Sequence, residues 1–295
     1  MAVDVIPQYN RILDLTLIAD NGQKLVIQCP RRGRKPSIEI NGSYAGNQNL
    51  YPFNITVKNL YIDLLTSSYA KIEITAGYEN NTIHLEGTIV SIYQESPGPE
   101  GRTVIQCQYG TFQNWLDASV QMTYEAGTPL ETILNSIKDK MGAYSVKLGE
   151  SARNLKIKTP FNHDGAARQA LVKLETEYFA DEKLHLFLRN DMLCGICYTK
   201  SSDYIGRHKL EYMSAPPQAN AGGEDGSAYT TVTAPWIPQL NVGDLLEIPQ
   251  KAYMRFYQTV GSSGKNTQFI QVTALQFHFG TTGGVNSMTV QGFNV

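Results

Sequence analysis

The chain has 295 residues, 25 basic against 27 acidic side chains, and a formal net charge of −2. That length supports a full hydrophobic core without disulfides or structural metals. The near-neutral balance excludes a protein that coats nucleic acid through a basic surface, and we expect no specific nucleic-acid binding. Charged residues are only 18% of the chain, whereas Tyr numbers 17 against 10 Phe and 2 Trp. Low charge with abundant Tyr suits β-structure and large protein contacts better than a freely diffusing helical enzyme. No apolar run approaches the roughly 18 residues of a membrane span, and Met1 to Arg11 has no signal-type stretch, so synthesis in the cytoplasm is expected.

The first part reads as strands. Leu13, Leu15 and Leu17 alternate with Asp14 and Thr16, and Asp20-Asn21-Gly22 marks a turn before a strand at Leu25–Cys29. Further strands are predicted at Ser37–Ile40, Phe53–Val57, Lys71–Ala76, His84–Tyr93 and Thr103–Tyr109. Residues Glu95 to Gly101, with Pro97 and Pro99, separate the last two as a hairpin tip. Residues 1–118 are thus predicted to form an all-β unit, a barrel or sandwich.

The middle, 119–200, changes period. Thr128-Pro129-Leu130-Glu131 has the form of a capping box. Leu130, Ile133, Leu134, Ile137 and Met141 follow at helical spacing, with Gly142 as the stop. A second helix is expected from about Asp164, capped by it, with Ala167, Ala170, Leu171, Leu174 and Tyr178 as its apolar stripe. Leu184–Leu188 and Met192–Tyr198 read as a hairpin, which makes this a small α/β insertion.

Residues 214–238 look like a linker, dense in Pro and Gly, and strands return at Leu245–Ile248, Phe269–Phe279 and Ser287–Gln291. Residues 201–295 are thus the linker and a second β unit. A short strand, a long alternating strand, a polar tip and a third strand occur in both β units. Internal repetition and the cheapness of β patterning both account for this.

Chemical motifs are sparse. Cys194-Gly195-Ile196-Cys197 has the spacing of half a zinc site or a redox pair, but further ligands at suitable spacing are missing and the pair sits in an apolar strand. Two buried thiols are the expectation, because Cys serves well as a small hydrophobe. The five histidines are scattered singly, and Gly261 to Asn266 lacks the spacing of a phosphate loop. The expectation is no enzyme, no metal and no cofactor. The dense basic run Arg31, Arg32, Arg34 and Lys35, together with Pro97, Pro99 and Lys265 on the tips, forms the candidate set of partner-contact loops.

Three phrases resemble the baseplate hub proteins of contractile-tailed bacteriophages, the late-control D-like and Mu-like tail proteins. They are Phe53-Asn54-Ile55-Thr56-Val57 followed by Lys71-Ile72-Glu73-Ile74-Thr75-Ala76-Gly77-Tyr78 and Ile83 to Ile89; the paired segments Thr128 to Ile137 and Gly165 to Leu174; and Pro238-Gln239-Leu240-Asn241-Val242-Gly243-Asp244. The resemblance implies an α+β, mainly β fold with two similar β-barrel tube domains flanking a small α/β insertion. It also implies a structural virion protein: a homotrimeric hub in the tail baseplate. Such a hub joins the six-fold tail tube protein to the three-fold central spike protein, and has tape-measure and other baseplate proteins as further partners. With Val295 right after the last predicted strand, the expectation is a protein without the additional modules of some relatives. Two other classes stay open on sequence alone, a carbohydrate-binding β module and an enzyme acting on cell-wall glycans. The latter needs two carboxylates about 5–10 Å apart, which sequence cannot place.

Overall fold

The structure is a computed structural model. It describes residues 11–28, 37–45, 52–60, 68–79, 81–95, 101–109, 117–189, 192–198, 200, 202–210, 213, 217–220, 229–248, 268–281 and 286–295. In chain order the first region holds β1 (Arg11–Ala19), β2 (Lys24–Ile27), β3 (Ile38–Ala45), β4 (Pro52–Lys58), β5 (Tyr69–Tyr78), β6 (Asn81–Gln94) and β7 (Arg102–Tyr109). The insertion holds β8 (Ser119–Tyr124), α1 (Leu130–Met141), β9 (Ser145–Leu148), α2 (Glu150–Arg153), β10 (Phe161–Ala166), α3 (Ala167–Lys173), β11 (Leu184–Arg189) and β12 (Met192–Cys197). The last region holds β13 (Arg207–Lys209), β14 (Gln218–Asn220), β15 (Tyr229–Pro235), β16 (Leu245–Ile248), β17 (Gln268–Gly280) and β18 (Ser287–Asn294). The fold is mainly β.

Both β regions enter one 13-stranded sheet, in the order β14-β15-β18-β17-β3-β4-β7-β6-β5-β1-β2, with β16 on the early part of β17 and β13 on β16. Its five-strand runs match. The order β3-β4-β7-β6-β5 in the first region recurs as β14-β15-β18-β17-β16 in the last. Every neighbouring pair in both runs is antiparallel. The long central strand carries a bulge in each. Pairing of β6 with β7 skips Val90, and pairing of β17 with β18 skips Thr273. An extra residue shifts the side-chain parity of everything beyond it. In β17 the buried apolar residues are accordingly Ile270 and Val272 before the bulge, but Leu275, Phe277 and Phe279 after it.

The predicted linker 214–238 requires a correction, since β14 and β15 lie within it. Tyr229–Pro235 alternates buried and half-buried residues throughout its length. The flanking Pro and Gly residues conceal a strand whose inward side chains include only Val232 and Ala234 as hydrophobes.

One hydrophobic core runs beneath both regions, including Leu15, Ile55, Ile74 and Ile105 from the first and Val232, Ile248, Leu275 and Val290 from the last. An aromatic group ties them together. Phe277 stacks on Trp236 at 5.0 Å and on Tyr44 at 5.6 Å, while Phe279 meets Tyr78 edge-on at 5.7 Å.

The insertion has its own core, made by α1, α3, β11, β12 and their neighbours. Leu130, Ile133, Leu134, Ile137 and Met141 are buried as the spacing predicts, and Gly142 ends α1 at φ 73°. The capping box does not form. Pro129 is the N-cap, and the Thr128 hydroxyl donates to Glu125 O at 2.7 Å instead, because the helix starts one residue late. Asp164 caps no helix either. It lies in β10 opposite Gln121, and α3 begins at Ala167, continuing into a π-helical turn at Leu174–Tyr178. The Leu184–Leu188 and Met192–Tyr198 hairpin forms as β11 and β12, with β9 added parallel to β12.

Candidate functional site: the buried joint and the seam between repeats

The insertion meets the last β region around a carboxylate with no solvent exposure. Asp244 follows a turn just before β16 and is the fully buried acid of a largely buried stretch, Leu240 to Ile248, in which Glu247 is half-buried. Its Oδ1 accepts a hydrogen bond from Arg189 of β11. Its Oδ2 faces His208 Nε2 of β13 at 3.1 Å and accepts from the Asn241 backbone N–H at 2.9 Å. Burial alone pushes the Asp244 carboxyl upward, yet the hydrogen bonds and charges of His208 and Arg189 outweigh it and hold the pKa below its ordinary value. With both oxygens taken, this carboxylate acts as a lock between three elements. Gly206 completes the fit, since a Cβ there would lie 2.6 Å from Asp244 Oδ1.

A second buried carboxylate, Asp203, accepts from the Ser151 N–H at 2.8 Å and the Cys197 N–H at 2.6 Å. It pins the start of α2 and the end of β12, while its own backbone carbonyl accepts from Gln271 of β17. Neither lock was found by motif. Arg189 lies 55 residues from Asp244. The available signal was an acid set between Val242 and the apolar pair Leu245-Leu246, where a buried carboxylate requires a cationic partner.

The candidate contact residues Arg31, Arg32, Arg34, Lys35, Pro97, Pro99 and Lys265 all lie outside the described residues. Cys194 and Cys197 lie in different apolar clusters, so β12 directs the two thiols to opposite sides. Burial raises the pKa of each to about 12. The described histidines are not brought together. His84 lies by Glu86, His163 by Ala166 O, His185 by Glu175, His208 by Asp244 and His278 by Asn41. Among the described residues no group of three or more His, Cys, Asp or Glu is arranged to hold a metal ion, and no helix is long and apolar enough to cross a membrane.

The seam between the repeats is the β3–β17 pairing. Residues Ala274 to Gly280 pair antiparallel with Ala45 to Glu39, and Phe277 lies opposite Gly42. A Cβ on Gly42 would approach Phe277 Cζ to 2.5 Å, so glycine is what admits the ring. On the polar side of this seam is an open groove of about 400 Å³ lined mainly by uncharged groups, including Asn41, Ser43, Asn54, Gln276 and Thr289. Such a surface offers hydrogen bonds without a strong field of either sign.

No protein-family model matches this sequence, and no curated protein matches it significantly. Solved structures do. The tail protein of Neisseria meningitidis MC58 matches with TM-score 0.58 at 9% identity, over 97% of each chain. The 43 kDa tail protein of prophage MuSo2 from Shewanella oneidensis matches with TM-score 0.56 at 9% identity, over 97% of this chain and 96% of that one. The E. coli c3393 protein, a component of the type VI secretion system similar in structure to the T4 tail proteins gp27 and gp5, matches with TM-score 0.55 at 9% identity, over 90% and 76%. The chain therefore has the fold of these tail proteins.

Proposed function

We propose that this protein is a structural component of a phage-type tail, the baseplate hub between tail tube and central spike. The observation that carries the reading is the repeated strand order: β3-β4-β7-β6-β5 and β14-β15-β18-β17-β16 lie side by side in one chain. Two like units per chain turn three copies into six similar positions about one axis, which suits a connector between a six-fold tube and a three-fold spike. The tail and type VI secretion proteins of the same fold support the same assignment.

On this reading 1–118 and 201–295 are tube-like β domains that close into barrels on assembly, and 119–200 is the insertion that braces them. The protein works as a homotrimer in the virion and has no catalytic role. Both described buried carboxylates, Asp203 and Asp244, are committed to hydrogen bonds within the fold, as befits a scaffold. Electron microscopy of the tail particle tests this. Three copies on the central axis at the tube–spike junction are expected, and a six-copy ring or an off-axis position overturns it.

A further inference from the structure

The repeat equates individual residues as well as strands. Aligning the bulges places Val90 on Thr273, Ile92 on Leu275, Tyr93 on Gln276 and Gln94 on Phe277. The ladders through β7–β4–β3 and β18–β15–β14 then place Asn41, Gly42 and Ser43 on Gln218, Ala219 and Asn220. In the second repeat the edge of β17 beyond β16 is filled by β3, the leading strand of the first. In the first repeat the pairing of β5 with β6 stops at Thr88, and no described strand covers that edge of Ile89 to Gln94. The leading strand of the second repeat, β14, pairs only with β15 among the described strands, so its outer edge is equally unmatched.

We infer that these two edges pair between copies of the chain, β14 of one copy adding antiparallel to β6 of the next as β3 adds to β17 within a chain. The register follows from the alignment: Tyr93 opposite Asn220, Gln94 opposite Ala219 and Glu95 opposite Gln218 of the neighbour. The occupant is a second copy because the chain already contains the cognate joint. Exposure agrees with an unfinished joint. Ile92 is only half-buried where its counterpart Leu275 is 1% exposed, and Val90 and Tyr93 are 57% and 39% exposed. Unpaired strand edges are templates for further strands. A head-to-tail interface of this kind closes into a ring when its rotation permits. The hub reading supplies only the expected copy number; the pairing itself derives from the internal repeat.

Cysteine cross-linking of the full chain in a Cys29→Ser background tests it. Within one chain β14 and β6 are separated in the sheet by β15, β18, β17, β3, β4 and β7. A disulfide spans Cα atoms no more than about 7 Å apart, so it forms only where the two strands lie side by side. A link within one chain would leave a monomer-sized band, so a covalent oligomer reports a link between copies. Gln94→Cys with Ala219→Cys is expected to give covalent oligomers on a non-reducing gel. Each single variant, and the off-register pair Gln94→Cys with Gln218→Cys, should lose that ladder. Thermal unfolding checks that all variants remain folded, and light scattering gives the oligomeric state. Oligomers lacking the in-register link, or a chain that stays monomeric and unlinked, overturn the edge pairing. Neither result moves the chain's place in the particle, which the microscopy reads separately.

Discussion

The two five-strand repeats differ most along the far half of their long strands. In β17 that half is paired on both edges, and Leu275, Phe277 and Phe279 fill the core beneath it. In β6 the corresponding half is paired on one edge among the described strands, and its residues are half-buried or exposed. The strand order is the same, so the contrast arises from what lies alongside. Neighbouring strands, more than local sequence, determine how deeply a β residue is buried.

The sharpest way to break the comparison is an insertion in the long strand. The bulge itself is absorbed by the pairing, since Val272 lies opposite Gly292 and Leu275 opposite Val290 on the same face. One alanine inserted between Leu275 and Gln276 shifts the parity beyond it and turns Phe277 and Phe279 to the polar side. Two such side chains are worth about 1.5–3 kcal/mol each. Typical domains hold only about 5–15 kcal/mol in all. The variant should therefore lose most of its stability, whereas an alanine inserted between Ile92 and Tyr93 should leave a folded chain by circular dichroism, since that half of β6 buries little.

Next is the Asp244 lock, which the first repeat lacks at the corresponding strand start. Asp244→Asn leaves Arg189 buried without its anion and should lose about 3–5 kcal/mol in urea unfolding at neutral pH. Asp244 has its folded pKa below the unfolded value of about 3.9, so its contribution is present above that pH and is lost as pH falls through the folded pKa. The gap between variant and parent should therefore be widest above about pH 4 and narrow in acid.

Phe277→Ala, removing a ring held between Trp236 and Tyr44, should lose about 3–5 kcal/mol. The register counterpart Gln94→Ala should stay within about 0.5 kcal/mol in the isolated chain. Equal losses would show that the repeats are more alike in packing than their exposure indicates.

Among the destabilising changes the smallest effect is expected at the seam. Gly42→Ala places a methyl against the Phe277 ring and should destabilise by about 1–3 kcal/mol, with partial relief from the further change Phe277→Leu.

Much of this architecture is legible in the sequence, because period-two alternation survives wherever a strand has one wet face. The imperfect alternation around Thr88 to Tyr93 is visible there too, but its cause is not. A bulge is a relation between two strands, and the partner residues Ile105 to Cys107 lie a hairpin away. β14 and β15 were hidden because Pro and Gly in 214–238 carry the signs of a linker while the pairing that makes strands of it comes from β18, some 60 residues on. The Asp244 lock has the same character. Each participant is an ordinary residue until the fold brings β11, β13 and β16 together.

The β3–β17 seam also constrains the order in which the molecule is built. One edge of β3 pairs early with β4, but the other finds its partner only at residues 274–280. At a synthesis rate of about 5–20 residues per second, β3 waits roughly 11–46 seconds with one edge unfilled. Such long-range pairing makes for slow folding, and a waiting edge is open to β17 from another nascent chain. The first region must therefore mature late or be shielded, and crowded expression should favour exchanged strands over correctly closed subunits.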